Sequence, residues 1–539
     1  MANFSLNFKE LSFSLPTKHV QKDNEKPIHI TKRFMWIYVA ILSVISVVSW
    51  IFYYSQGLTL SYNDARSHLD VARRVIDNLQ PGFAQIGSVW LPLFHIFELP
   101  FIWNYTLWQT GIAGSIISMI SYVIGGVFIL LLSKQLRFSF LASLVTAGVY
   151  ALNPNIVFMQ STPMTELLLL STSLAGVYYI VRWVESFSII DLILAGLFTF
   201  LASLTRYDGW FLFLFMSGVV SYVSLKKGKF RTAEGATLFF VTLAGLGIVM
   251  WFAWNLLIFK NPLYFAIGPY SAKAQQDILQ AQGRLLTKGN AVYSIVMFVL
   301  VIKENLGLLV SLLSVAGVWV LAASKKLSLF TKIAVGLLLV PIIFNILSLV
   351  TGDSVVYLPY IFPFTWFNDR YGLMLIPAAA IAVGAVANKG KLFSIIVGSI
   401  LLMSVATMYL DNAVITIQDG VRGASGNFLN DTGDWVGANA KTGLILVASA
   451  SNDALEFRSK LPLNHFISEG DQKYWAVSLA DPAKYSQWVI LHKGDTVYAS
   501  LIGNKKFLQN FHLVYRSDFA YIYEKNTHPM SNIPKEDLP

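Results

Sequence analysis

YNDARSHLDVARRVIDNLQPGFAQIGSVWLPLFHIFELPF, Tyr62 to Phe101, decides the reading of this chain. It follows a long apolar run, Phe34–Tyr54, and sets Asp64, Arg66, His68, Asp70, Arg73 and Arg74 immediately beyond it. Leu69, Val71, Ala72, Val75 and Ile76 alternate with those polar residues at helical spacing, and a Trp/Pro/Phe-rich stretch follows. That is the pattern of a helix lying at a membrane surface, with carboxylate, imidazole and guanidinium groups at the water boundary. A helix so placed can bring a water-soluble acceptor to a lipid-borne donor.

The rest of the chain supplies the membrane. Of 539 residues 55% are hydrophobic and 13% charged, and the mean hydropathy is +0.58. One bilayer crossing needs roughly 20 apolar residues. The candidate runs are Phe34–Tyr54, Gly111–Leu132, Phe138–Leu152, Leu167–Ile180, Ile189–Leu204, Trp210–Leu225, Ala236–Phe259, Leu306–Ala323, Ile333–Val350, Leu373–Ala387 and Leu392–Leu410. They predict a mainly α membrane protein with about eleven spans. Ala291–Ile302 reads as a half-buried surface helix rather than a span.

Basic residues set the orientation. Lys134 with Arg137, Arg182, Lys226 to Arg231, Lys325 to Lys332, and Lys389 with Lys391 fall in alternate loops. Lys18, Lys22, Lys26, Lys32 and Arg33 belong to the same side. The positive-inside rule places that side in the cytoplasm, and an odd number of spans then leaves everything beyond Asp411 outside. The net charge of +10 is accounted for by these loops and lipid headgroups, so no nucleic-acid partner is expected. The polar N-terminal stretch suggests that the first span is a signal anchor rather than a cleaved leader. With no cysteine, disulfides, thiol nucleophiles and thiolate metal sites are excluded.

The expected organisation is a cytoplasmic tail (1–33), a multi-span catalytic domain (34–410), an exterior α/β domain (411–525) and a disordered tail (526–539). Outer loops are expected at 55–110, 153–166, 205–210, 260–305 and 351–372. In the C-terminal part Gly443–Ser449, Gln487–His492, Phe511–Arg516 and Phe519–Lys525 read as strands, with helix-compatible Asn452–Lys460, Asp471–Leu479 and Thr496–Leu508 between them.

The outer loops hold the unusual chemistry. Asp64 and His68, spaced i, i+4, share a helix face and are expected to hydrogen-bond or share a metal, although one Asp and one His are too few ligands for a metal site. Glu166 ends the loop NPNIVFMQSTPMTE, where a helix N-terminus would favour an acid in any case. Arg206 lies in TRYDGW with Asp208, and Arg370 in NDRYGLMLIP with Tyr371. Either arginine would also serve as a headgroup anchor. The loop 260–290 contributes Tyr270 and Lys273. His95, among Leu91, Phe94, Ile96 and Phe97, suits packing as well as substrate contact.

In order, NDARSHLDVAR, NPNIVFMQSTPMTE, TRYDGW and NDRYGLMLIP resemble the GT-C superfamily of polyprenyl-phosphate-dependent glycosyltransferases. The nearest likeness is to the protein O-mannosyltransferase and aminoarabinose-transferase type, family 39. The resemblance covers residues 34 to about 410. It implies a GT-C arrangement of spans at the cell (cytoplasmic) membrane and a first-loop acid as catalytic base, here Asp64 with His68 and Glu166 beside it. Where that family often has a second adjacent acid, this sequence has Asn63 and Ala65. The implied partners are a polyprenyl-phosphate sugar, membrane lipids and a glycan, lipid or protein acceptor. A divalent metal is the one optional cofactor. A base for the acceptor hydroxyl and cations for the leaving phosphate would suffice. Arg206, Arg370, Arg74 and Lys273 are the candidate phosphate ligands, and Asp208, Tyr371, Tyr270 and His95 candidate substrate contacts. The competing readings are a transporter or flippase, whose ionisable groups would sit near the bilayer midplane, and an inactive GT-C-like scaffold.

Overall fold

The computed structural model describes residues 30–528; most of the N-terminal tail (1–29) and the segment 529–539 lie outside the described residues. Helix α1 (Lys32–Ser55) starts where the Thr31 hydroxyl accepts from the Phe34 amide, and it opens the apolar bundle. The short α2 (Asn63–Arg74) and α3 (Leu93–Ile102) follow. Then come α4 (Ile112–Gln135), α5 (Phe140–Ala151), α6 (Glu166–Ser186), α7 (Ile189–Ser203), α8 (Asp208–Lys227) and α9 (Phe230–Phe259). The bundle is completed by α10 (Ala291–Leu306), α11 (Leu308–Ala323), α12 (Leu329–Thr351), α13 (Asp369–Ala387, its first turns 3-10) and α14 (Lys391–Leu410).

Among the described residues 8 helices are long and apolar enough to cross a membrane, or 9 if α10 and α11 form one broken span. The short α5 and α7 make up the difference from the eleven runs in the sequence. Ala291–Ile302, read as a half-buried surface helix, belongs to a helix that runs on to Leu306, buries Ser294, Met297, Phe298 and Val301, and meets α11 at a 110° bend. Gly307 makes that bend at φ +76°, and a Cβ there would stand 2.8 Å from Ser404 Oγ. Both the left-handed backbone and the close approach call for glycine.

Helix α2 does not lie free at a surface. It has Asp64 in its first turn and Arg73 and Arg74 in its last, which suits the helix dipole. Most of its residues are buried, because the C-terminal unit covers it. That unit holds a five-stranded sheet in the order β2-β1-β3-β5-β4. Its strands are β1 (Leu444–Leu446), β2 (Phe466–Ile467), β3 (Ser486–His492), β4 (Phe511–Arg516) and β5 (Ala520–Lys525). The first three are parallel, with Ile445 beside Phe466 and Trp488, whereas β5 runs antiparallel to β3 and β4. One face of the sheet carries Ile445, Ile490 and Ile522 into a core shared with α15 (Ser449–Ser459) and with Leu69 and Ala72 of α2, Ile102 and Trp108. Burying each such large apolar side chain contributes about 1.5–3 kcal/mol. The other face closes on Val497, Leu501 and Phe507.

Candidate active site

Arg370 is the hub. Asn368 turns the chain into α13 at φ +59°, with its amide donating to Asp419 Oδ1 (3.1 Å). This turn aims the next side chains across the ends of the spans. Arg370 Nη2 donates to Asp64 Oδ2 (2.6 Å) at the start of α2, and its Nε donates to Glu166 Oε1 (3.0 Å) at the start of α6. Its Nη1 lies 3.8 Å from Asp419 Oδ2. Arg206, on the turn between α7 and α8, shares the same Glu166 oxygen at 3.1 Å and pairs with Asp208 at 3.5 Å. Tyr371 lies with its ring centre 5.2 and 5.5 Å from the two guanidinium carbons. Tyr62 closes the other side, its ring 4.9 Å from Arg370 and its hydroxyl donating to the Thr416 carbonyl (2.7 Å).

Exposure divides the roles. The Asp64 side chain is 31% exposed, whereas Glu166 is at 0% and Arg370 at 5%. Asp64 can therefore be reached from outside the cluster, while Glu166 acts from below as the shared counterion of two arginines. Carboxylates outnumber guanidiniums, so the cluster carries no unpaired positive charge. Buried Nη1 of Arg370 and Nε of Arg206 have no hydrogen-bond partner. Next to Asp208, a narrow apolar cleft of about 30 Å³ runs between α6, α8, α12 and α13, lined by Leu174, Leu212, Leu338, Met374 and Pro377 among others.

The structure thus brings together Asp64, Glu166, Arg206, Asp208, Arg370 and Tyr371, residues separated by up to some three hundred positions in the chain. Others lie elsewhere. Arg74, at the far end of α2, is held by Glu456 (2.7 Å) and Asp453 (3.4 Å) of the C-terminal unit. Lys273 pairs with Asp277 and is 60% exposed. The Tyr270 hydroxyl stands 3.5 Å from Thr496 Oγ1 of the C-terminal unit. His68 turns away from Asp64, and its Nδ1 meets His95 Nε2 at 2.9 Å. The expected Asp64–His68 hydrogen bond is replaced by the histidine pair because Arg370 engages Asp64.

Asp419 and Tyr62 were not foreseen. Asp419 follows the last apolar run in ITIQDGVRG, and an acid between a short apolar stretch and glycine is the one cue the sequence offered. The donor set does not fit a divalent cation. Asp64, Glu166 and Asp419 all converge on a guanidinium, and among the described residues no three His, Asp or Glu side chains form a metal-holding group.

Neither a protein-family model nor a curated protein matches the sequence. Among solved structures, the chain is similar to ArnT from Cupriavidus metallidurans in the apo state, with a TM-score of 0.54 and 12% identity over 91% of this chain and 97% of that one. A mycobacterial arabinofuranosyltransferase, AftD, aligns with a TM-score of 0.44 and 13% identity over 92% of this chain and 42% of its own. The chain shares the overall fold of that ArnT structure, and its apolar helices make it a multi-pass membrane protein.

Proposed function

We propose that this chain is a glycosyltransferase that moves a sugar from a polyprenyl-phosphate donor to an acceptor at the outer face of the cytoplasmic membrane. The reading rests above all on one arrangement: a reachable carboxylate, Asp64, set against Arg370 and Arg206 where the spans end, beside an apolar cleft. Alternating basic loops put the N-terminus in the cytoplasm and the C-terminal α/β unit outside. The isoprenoid tail lies against the apolar residues at the mouth of the cleft, and its phosphate competes with the carboxylates for N–H groups of Arg370 and Arg206, where guanidinium geometry suits two parallel hydrogen bonds. The phosphate competes with Asp64 for Arg370, so donor binding frees the base. Asp64 then takes the proton of the acceptor hydroxyl while the acceptor oxygen bonds to the anomeric carbon. The bond from that carbon to the phosphate oxygen breaks, and its electron pair leaves on polyprenyl phosphate.

Protein purified in detergent, given polyprenyl-phosphate sugars and hydroxyl acceptors, should release polyprenyl phosphate without a sealed membrane, nucleotide or ion gradient. Gradient-driven uptake into vesicles, with no donor cleaved across a panel of such sugars, would replace this reading by transport. Ionisable groups that carry a solute across are expected near the midplane, whereas the charges described here gather at span ends.

A further inference from the structure

The motif NPNIVFMQSTPMTE begins with two asparagines that the mechanism above leaves idle. Asn153 caps the short helix Pro154–Met159, its Oδ1 accepting from the Asn155 and Ile156 amides (2.9 and 3.1 Å). The Asn155 side chain is wholly buried and serves a different purpose, because it joins two other parts of the bundle. Its Oδ1 accepts from both the amide and the hydroxyl of Thr416 (3.1 and 2.9 Å), in the segment that leads to Asp419. Its Nδ2 donates to the Asn305 carbonyl (3.2 Å), in the last turn of α10. A backbone N–H can only donate and a carbonyl only accept, so these partners fix which way the Asn155 amide faces.

Resting on the functional reading above, we propose that Asn155 is a positioning residue for Arg370. It anchors both supports of the peptide unit that carries the Arg370 side chain, so that the guanidinium keeps its place when it passes from Asp64 to the phosphate.

The two supports meet at one peptide bond. The Asp369 carbonyl accepts from Asn305 Nδ2 (2.8 Å), and the Arg370 N–H of the same peptide unit faces Asp419 Oδ2 at 3.5 Å. A peptide unit is planar, so holding it at both ends sets the direction in which Arg370 leaves the backbone. Asn155 stands behind each support: it grips Asn305 at its carbonyl, and Asp419 through Thr416, three residues earlier. Asn153 Nδ2 assists at the Asn305 carbonyl (2.9 Å), and Asn155 adds the link to Thr416. Thr416 carries the constraint further, since its own carbonyl accepts from the Tyr62 hydroxyl (2.7 Å) and the Tyr62 ring lies 4.9 Å from the Arg370 guanidinium carbon. Packing leaves little slack, because a Cβ on Gly372 would stand 2.4 Å from Asn305 Nδ2. All these groups are buried, where a lost partner is not made good by water. An amide is the side chain such a place requires. Leucine has the branched shape of asparagine but neither donor nor acceptor, and aspartate would set a carboxylate against the Asn305 carbonyl. In the transfer step the phosphate goes from a diester monoanion to a monoester dianion, and a guanidinium already held in place stabilises that charge without reorganising.

The test measures single-turnover donor cleavage in detergent at saturating donor, which registers slow variants, with thermal unfolding alongside. Asn155→Leu and Thr416→Val are each made alone and combined with Arg370→Lys. Asn155→Leu should lower the cleavage rate by about 10- to 100-fold, the scale of loss that a displacement of about 1 Å brings to a reacting site. Because Asn155 acts through Arg370, the same substitution in the Arg370→Lys protein should cost no more than a few-fold. A residue needed only for folding would cost the same fraction in both backgrounds. Folded Asn155→Leu protein with an undiminished rate, or losses that multiply in the double variant, overturns the proposal. Should Asn155→Leu fail to fold, Thr416→Val decides instead. It keeps the side-chain shape and the backbone bond to Asn155 but removes the hydroxyl, and should slow cleavage a few-fold when Arg370 is present and not when lysine replaces it. An unchanged rate in Thr416→Val, or the same loss in both backgrounds, then overturns the arrangement. Absence of cleavage by the unsubstituted protein would count against the functional reading itself, before any variant is compared.

Discussion

Asp64 and Glu166 grip the same guanidinium but should fail in opposite ways when neutralised. In Asp64→Asn the amide still offers an oxygen to Arg370, which keeps Glu166 at 3.0 Å and Asp419 at 3.8 Å. With 31% of Asp64 exposed, its pair with Arg370 contributes about 1 kcal/mol or less, so the thermal midpoint should hardly move. Catalysis loses its base. A positioned base contributes about 100- to 10,000-fold, which at about 1.4 kcal/mol per factor of ten raises the barrier by roughly 3–5 kcal/mol. Glu166→Gln reverses the pattern. Its Oε1 receives both Arg206 (3.1 Å) and Arg370 (3.0 Å) at zero exposure. Removing that charge takes the shared counterion from between Arg370 and Arg206, leaving them to Asp64 and Asp208, and should cost about 3 kcal/mol of stability. Thermal unfolding in detergent, run beside the release of polyprenyl phosphate, separates the two. If Asp64→Asn keeps more than half the turnover, the base is another residue. If Asp64→Asn unfolds as readily as Glu166→Gln, the division of roles by exposure is wrong.

Three further outcomes are expected. A cysteine introduced at Ser451 should react with an impermeant thiol reagent in intact cells and one at Ser324 should not; the reverse pattern would invert the orientation. Arg74→Met should lower the unfolding temperature by stranding buried Glu456 and its neighbour Asp453, at a cost of about 3 kcal/mol, and an unchanged midpoint would show that this junction does not hold the C-terminal unit. Burial pushes the Glu469 carboxyl up to about 7. The folded state thus binds its proton more tightly than the unfolded state, and the associated stability is lost as pH rises from about 4.5 to 7. Glu469→Gln should flatten that slope in unfolding temperature against pH, and an identical slope in the variant would refute the assignment.

Local pattern revealed the elements. The apolar runs became helices, and FHLVYR became β4 with both ends as expected, because hydropathy and alternation are properties of neighbours in sequence. Strand β2 escaped because two residues, Phe466 and Ile467, carry no period. The break between α10 and α11 was legible, but its place at Gly307 was not, because nothing local weighs that glycine against its approach to Ser404. For the site, Asp64, Glu166, Arg206 and Arg370 were legible as charges at span ends, and the structure brings them into one cluster. The partner of each was not legible. His68 shares a helix face with Asp64, yet its partner comes from α3, 27 residues on. Arg74 looked like a phosphate ligand until the C-terminal unit supplied its carboxylates, 379 and 382 residues away. Charge type is written in the sequence, but which opposite charge claims it is decided by tertiary packing.

Helix α2 belongs to two bodies at once. Asp64 at its first turn is tied to the bundle through Arg370. Arg66 donates to the Ser425 carbonyl and Asn427, Ser67 to Asp453 (2.8 Å), and Arg74 to Glu456 (2.7 Å). The C-terminal unit therefore cannot be grafted between relatives like an accessory module. A chimera with a foreign unit on this bundle would inherit an α2 whose last two turns find no matching carboxylates, and the bearing of Asp64 would drift with them. Recombination that respects the fold must exchange residues 63–74 together with the distant segment 424–456, so in inheritance these two stretches should behave as one unit.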